Sequence, residues 1–406
     1  MLDVLQETPS LTRRLLFGNF LSSLGSGLTM PLLIVYLHEV RGFSLVTAAL
    51  VISWMSIFGL VATGPAGAAI DRFGPKPVMT IGLTIITFAT ASWGIVQTPA
   101  QAYFVGALVA LGQSGLWPAQ NTLVARMVEP DKRQNVFGIS FMFLNLGLGI
   151  GGLASALIVD LNDPSSFIRL YLIDACSYVL YAAVMLTLPN LKAEELREIK
   201  TGSYRELLND RRLIYYFISS ILMLTCGYGS MMDAGVAPLM TSFANQSAKV
   251  LGPIWAINTF VIVAGQLFVI QRIKGKSRSR MLQAICLLWA LSWLILGLGL
   301  KLPSLWPAIM AGIAIGIFAI GEMIWSPVGP AIPNDLAPEH LRGRYNAVSS
   351  LNWTVSGAIG PAIGGLMLNH NLVYQWIGLM ILGFVISAIL AEGLRKRLTP
   401  SQDGRG

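Results

Sequence analysis

Charge is what this chain has least of. Asp, Glu, Lys and Arg make up 12% of its 406 residues, about half of the roughly 25% usual in a soluble domain, while apolar residues reach 54%. So little charge cannot cover a water-facing surface, which excludes a soluble globule. Cysteine and histidine are equally scarce, with three of each. Cys176, Cys226 and Cys286 all fall inside apolar runs and lack metal-ligand or disulfide spacing, so reduced, buried packing residues are expected. No metal cluster and no nucleophile triad can be assembled, and neither a cofactor nor an enzymatic activity is expected. Gly275-Lys276-Ser277 has the look of the end of a phosphate loop, but Ile270 stands where the first glycine belongs and no strand precedes it. Nucleotide-driven chemistry therefore has no site here.

What the chain does have is length in its apolar runs. At about 20 residues per membrane crossing, twelve stretches qualify: residues 15–37, 45–70, 78–96, 100–125, 136–159 and 170–188, then 213–239, 250–271, 281–300, 305–332, 345–368 and 372–391. The fold expected is an all-α membrane protein of twelve transmembrane helices in two pseudo-symmetric six-helix bundles. Basic residues resist translocation. Placing both termini in the cytoplasm leaves only Arg41, Arg169, Lys249 and Lys301, of 28 Lys and Arg, on the far side. The net charge of +8 is thus a topology signal of a multi-pass protein of the cell's inner (plasma) membrane, and no nucleic-acid partner is expected. The first stretch is too long for the core of a cleaved signal peptide.

The two halves echo each other. Pro31 matches Pro238, Trp117 matches Trp325, and Pro130-Asp131 matches Pro338-Glu339; one residue further on in register, Arg133 falls on Arg342 and Gly151 on Gly360. Parallel repeats of this kind accompany two bundles related by an axis along the membrane normal, with a central cavity between them. The expected units are an N-terminal bundle over residues 1–189, a charged cytoplasmic linker over 190–212, and a C-terminal bundle with a short cytoplasmic tail over 213–406.

Between the second and third stretches the chain reads Gly67-Ala68-Ala69-Ile70-Asp71-Arg72-Phe73-Gly74-Pro75-Lys76. Gly67 allows a helix to come close, Asp71 can face the positive end of a helix, and Arg72 and Lys76 suit the inner membrane surface. At these residues the chain resembles the major facilitator superfamily, whose signature is G-x-x-x-D-R-x-G followed by basic residues, and most resembles its twelve-span drug/proton antiporter branch. The resemblance implies that Gly67, Asp71, Arg72, Gly74 and Lys76 form a cytoplasmic latch whose contacts with the eleventh helix break and re-form during alternating access. It also exposes two departures. The antiporters' G-P-x-x-G-G pattern lies in span eleven, at Gly360 to Gly365, instead of span five, and the arginine they commonly carry in span four is absent.

Only three side chains within the twelve stretches carry formal charge: Asp174, Asp233 and Glu322. Each costs at least roughly 2.5 to 3.5 kcal/mol at bilayer depth, so each needs a partner, a cavity or a proton, and all three are candidates for proton coupling or cation binding. Asp233 precedes Pro238, where a bent, cavity-lining helix is expected. Glu322 lies three residues before Trp325, on the same helical face. Asp174 follows Arg169 by five residues, and a local pair with it or an interfacial hydrogen bond is the leading reading. Lipid offers amides no partner, so Asn19, Gln113, Asn145, Asn258, Gln266 and Asn352, with the aromatic Trp117, Tyr228 and Trp325, are the candidates for lining a substrate cavity. Gly147, Gly151, Gly360 and Gly364, with Pro361 bending its helix, are candidates for close helix packing.

These features point to a monomeric secondary transporter that moves small molecules across the bilayer by alternating access, with proton-coupled efflux of amphipathic or cationic compounds as the leading expectation. A proton-coupled symporter or facilitator for a metabolite is the alternative. The second alternative is a non-transporting membrane sensor on the same fold, against which the retained Asp71 and Arg72 argue.

Overall fold

The computed structural model describes residues 9–160, 163–188, 204–232, 235–246 and 250–405. Asp233, Lys249 and linker residues 190–203 lie outside the described residues. Among those described there are helices and no strand.

Local chemistry sets the helix boundaries. In the first half the long helices are α1 (Ser10–Thr29), α2 (Leu45–Phe73), α3 (Pro75–Ser92), α4 (Pro99–Ser114), α5 (Leu116–Met127), α6 (Pro130–Ile158) and α7 (Pro164–Leu186). Four of them open on proline, whose missing N–H costs nothing at a first turn. Ser44 caps α2 by accepting from the Thr47 amide at 3.0 Å, and Thr98 with Gln101 forms a capping box on α4. Between α2 and α3 the chain turns on a single residue, Gly74, at φ +88°, a conformation that side-chain-bearing residues rarely adopt.

The second half contains α8 (Tyr204–Asn209), α9 (Arg211–Leu224), α10 (Leu251–Ile273), α11 (Arg278–Gly299), α12 (Trp306–Val328), α13 (Ala331–Leu336), α14 (Arg342–Asn369) and α15 (Val373–Arg395). After α9 the chain continues as a wide π-helical stretch, Thr225–Met232. Two compact units result: Met1–Gly202 with Ala337–Ser350, and Ser203–Leu336 with Leu351–Gly406. The first turns of α14 therefore belong with the first unit and its remainder with the second.

Nine helices among the described residues are long and apolar enough to cross a membrane. Stretches 15–37, 100–125 and 345–368 are not among them. Each is helical in the structure, but α1 carries Asn19 and several serines, α4 and α5 are separated by a turn at Gly115, and α14 contains Asn346, Asn352, Ser356 and many glycines. Side chains that serve the protein interior dilute the hydropathy of these three.

Two helix crossings hold the units from within. In the first, α1 lies so close to α6 that a Cβ on Gly151 would stand 2.1 Å from the Leu24 carbonyl oxygen, and one on Gly147 would stand 2.7 Å from Ser23 Cβ. In the second, a Cβ on Gly360 of α14 would stand 2.2 Å from the Gly229 carbonyl carbon. Lipid tails give apolar helices no reason to associate, so this backbone-to-backbone approach supplies the packing instead. The helix α14 runs through Pro361, and Gly364 is buried on it. One expectation needs correction: Cys226 and Cys286 are buried, but Cys176 is exposed on α7, on an apolar surface where a small thiol needs no protein partner.

Replacing Gly151 by Ala is expected to destabilise the protein by about 1–3 kcal/mol through overpacking. Its neighbour Gly152, whose added Cβ would meet nothing closer than 3.9 Å, should tolerate the same change. Thermal unfolding of the two purified variants in detergent checks the contrast.

Candidate functional site

Glu322 sits on α12, only 3% exposed. One carboxylate oxygen accepts from the Tyr228 hydroxyl and the other from the Asn258 side-chain amide. Three elements supply the group: α12 the acid, α10 the amide, and the π-helical stretch the phenol. A π turn shifts side chains out of the ordinary helical register, which is why such turns collect at functional positions. The two most enclosed of the nine apolar helices are those carrying Tyr228 and Glu322, each 61% buried, against 22% for the helix bearing Asp71.

An aromatic cluster surrounds the acid. Trp289 stacks on Phe318 at 4.6 Å and 12°, and the Tyr228 ring stands edge-on to Trp289, Phe318 and Trp353 at 5.6, 5.5 and 4.5 Å. Gly321 makes this possible, since a Cβ there would fall 2.2 Å from Trp289 Nε1. That indole N–H donates to the Phe318 carbonyl at 2.9 Å. Trp353 is 41% exposed and Tyr228 half-buried, so aromatic contacts run from the protein's surface to the buried carboxylate. Trp325 lies elsewhere, buried on α12 with its indole against Gly329.

The acid is charge-ready and lacks a counter-charge. Both oxygens accept hydrogen bonds, the pattern of the ionised form, yet among the described residues no Lys, Arg or His pairs with it. Two neutral donors offset part of the cost of a buried charge, and a cation or a proton would offset the rest. Nearby, Gln266 donates to the Met323 carbonyl at 3.1 Å and to Ser326 at 3.2 Å; among the described residues its oxygen is unmatched, and fully buried Asn352 has no partner at either side-chain atom.

Asp174 occupies a different setting in the first unit. It is 3% exposed and accepts from Thr29 Oγ1 at 2.6 Å. The expected pairing with Arg169 does not form. Arg169 instead reaches Asp163 at 3.0 Å and Ser165 at 2.9 Å, because Asp163 caps α7 on the exposed side while Asp174 points inward towards α1. Gly25 makes room for it: a Cβ there would lie 2.5 Å from the carboxylate. Beside it, Ser26 and Tyr178 share a 2.8 Å hydrogen bond, and exposed Gln113 also reaches the Tyr178 hydroxyl. A neutral chain runs through the unit: Asn19 donates to Ser140 at 3.2 Å, Gln120 donates to Ser140 at 2.9 Å, and Tyr181 donates to Gln120 at 3.0 Å. Asn145 turns back to the Phe141 carbonyl on its own helix, and Trp117 is exposed.

The loop after α2 is built around Asp71. One of its oxygens accepts from the Gly343 amide at 2.6 Å; the other accepts from the Arg344 amide at 3.1 Å and the Arg344 guanidinium at 2.9 Å. A carboxylate at the N-terminus of α14 thus meets two backbone amides, the positive helix end and a cation at once. Gly343 is needed for the approach, because a Cβ there would lie 2.5 Å from Asp71 and 2.8 Å from the Gly67 carbonyl. Lys76 donates to the carbonyls of Leu186, the last residue of α7, and Leu188 just beyond it, whereas Arg72 is exposed over the Phe73 ring.

Sequence reasoning missed a second buried ionic group. Asp403, in the tail, is fully buried and accepts from the Ser279 amide at 2.9 Å and the Ser277 hydroxyl at 2.6 Å, capping α11; Arg278 there pairs with Asp335. The hint available was Ser277-Arg278-Ser279 before an apolar run, but a cap arriving from 124 residues away leaves no local signature.

Asp71→Ala would remove from buried Arg344 and two buried amides the carboxylate they donate to. A loss of about 3–5 kcal/mol is expected, while Arg72→Ala should change stability by under about 1 kcal/mol. Detergent-phase unfolding of the two single variants and of Asp71→Ala combined with Arg344→Ala measures this; the double variant should be less destabilised than the sum of its parts.

A family model described as Major Facilitator Superfamily matches residues 15–321. The multidrug resistance protein MdtH of Salmonella arizonae is 25% identical over 402 residues, covering 96% of this chain and 95% of that one, and MdtH of Salmonella typhimurium is 26% identical over 400, covering 95% and 94%. Among solved structures, a bacterial homologue of the iron transporter ferroportin in the outward-facing state superposes with a TM-score of 0.81 at 15% identity, over 96% of this chain and all of that one. The fucose:proton symporter FucP of E. coli superposes with a TM-score of 0.75 at 15% identity, over 94% of this chain and 98% of that one. With the family model spanning most of its length and the helical fold agreeing, this chain belongs to the major facilitator superfamily of membrane transporters.

Proposed function

We propose that this protein is a secondary transporter that expels amphipathic or cationic compounds in exchange for protons. The single observation behind the reading is Glu322, a buried carboxylate held by Tyr228 and Asn258 with no ion-paired partner among the described residues, at the inner end of a cluster of aromatic rings. Such a group can exchange a proton for a positively charged solute, since either one relieves the same uncompensated charge, and the neighbouring rings suit a cationic or aromatic body. The relatives called multidrug resistance proteins support the substrate class. Energy suffices without hydrolysis: one proton crossing about 150 mV supplies roughly 3.5 kcal/mol, and one pH unit adds about 1.4 kcal/mol. Together these support a gradient of about a few thousand-fold. Asp71 and Arg344 would act as the contact that breaks and re-forms as access alternates, and the termini would lie in the cytoplasm of a cell with an energised inner membrane.

Reconstituted vesicles with an imposed pH gradient and ethidium as probe test the reading. Wild-type protein is expected to drive uphill ethidium movement that stops when a protonophore collapses the gradient. Glu322→Gln, which keeps the hydrogen-bonding shape but cannot ionise, should lose at least tenfold of the uphill rate while retaining downhill exchange. Unchanged uphill transport in that variant would remove Glu322 from the coupling step.

A further inference from the structure

We propose that the first unit carries a phospholipid site: a groove between α2, α3 and α4 holds one acyl chain, and Arg72 holds the anionic headgroup. The groove has a volume of about 400 Å³, within the range of small-molecule sites, and its lining is almost wholly apolar. Its floor is bare backbone. Gly82 and Gly112 pack so closely that a Cβ on either would fall within 2.8 Å of the other's carbonyl oxygen, and Gly115 continues the channel with no side chain of its own. Val61, 70% exposed, and Ile81, 60% exposed, stand up as its rims.

Two features select the occupant. On α2 the lining includes Phe58, Ala62, Pro65 and Ala69, a stripe with helical spacing. It runs about 17 Å along the axis, about one leaflet of a hydrocarbon core that is roughly 30 Å thick. Arg72 follows Ala69 by three residues and so extends the same face by one turn. That guanidinium is exposed, rests over the Phe73 ring at 5.2 Å, and forms no ion pair among the described residues. Asp71, its neighbour, is fully engaged with Gly343 and Arg344 and offers it no charge. An apolar channel one leaflet long, ending at an uncommitted cation, complements a lipid with a phosphate and no balancing positive charge. This site belongs to the first unit and Glu322 to the second, and it does not depend on what the protein transports.

Native mass spectrometry of the full-length protein from detergent micelles, supplied with phosphatidylglycerol or with phosphatidylcholine of the same chains, reads the site directly. Wild type should retain phosphatidylglycerol at least fivefold better. Val61→Trp and Ala66→Phe, two independent ways of filling the groove, should each cut that retention at least fivefold, and whichever of them keeps the wild-type unfolding temperature is decisive. Arg72→Gln should bring the two lipids to near-equal retention. Equal binding of both lipids by wild type, unchanged retention in a folded groove variant, or displacement of the lipid by inorganic phosphate alone would each overturn the proposal.

Discussion

Hydrocarbon cannot accept or donate a hydrogen bond, and the organisation of this protein follows from that constraint. Backbone groups are satisfied within helices, and several groups of polar side chains find partners inside the protein. Asn19, Ser140, Gln120 and Tyr181 form a hydrogen-bonded chain; Thr29 and Ser177 attend Asp174; Tyr228 and Asn258 attend Glu322. The constraint also removes the hydrophobic drive for helix association. Contact then depends on how near two backbones can come, and glycine decides that at Gly151 against α1 and at Gly360 against Gly229.

Against this background two of the buried acids, Asp174 and Glu322, differ in kind. Asp174 receives a hydroxyl from a neighbouring helix in a small, tightly filled space that Gly25 makes possible, a setting that joins α7 to α1. Glu322 is bordered by rings that lead outward to exposed Trp353, and it sits on a helix that meets an irregular, π-wound neighbour. The first arrangement holds helices together. The second leaves a buried charge met, among the described residues, only by neutral donors.

Asp71 solves the same problem at the end of a helix. It supplies a charge to two backbone amides and a guanidinium at the start of α14, at a place where Gly343 permits contact. The tail does likewise for α11 through Asp403. In both cases an acid from a distant part of the chain does what a local capping residue does in a shorter connection.

Much was legible in order of residues alone. Long apolar runs, the scarcity of charge, the glycine spacing and the loop from Gly67 to Lys76 specify an all-helical membrane protein of the transporter fold, because bilayer thickness and the cost of buried charge act on local sequence. Glu322 stood out for the same reason. Its companions did not: Tyr228 and Asn258 are separated from it by 94 and 64 positions, and Trp353 rather than Trp325 completes its aromatic border. Likewise, spacing suggested Arg169 for Asp174, whereas the inward face of α7 selected Thr29. Sequence by itself determined which groups needed partners, since that depends on each residue and its depth. Tertiary structure decided who the partners are, since that depends on which helix faces meet and how closely glycine lets them approach.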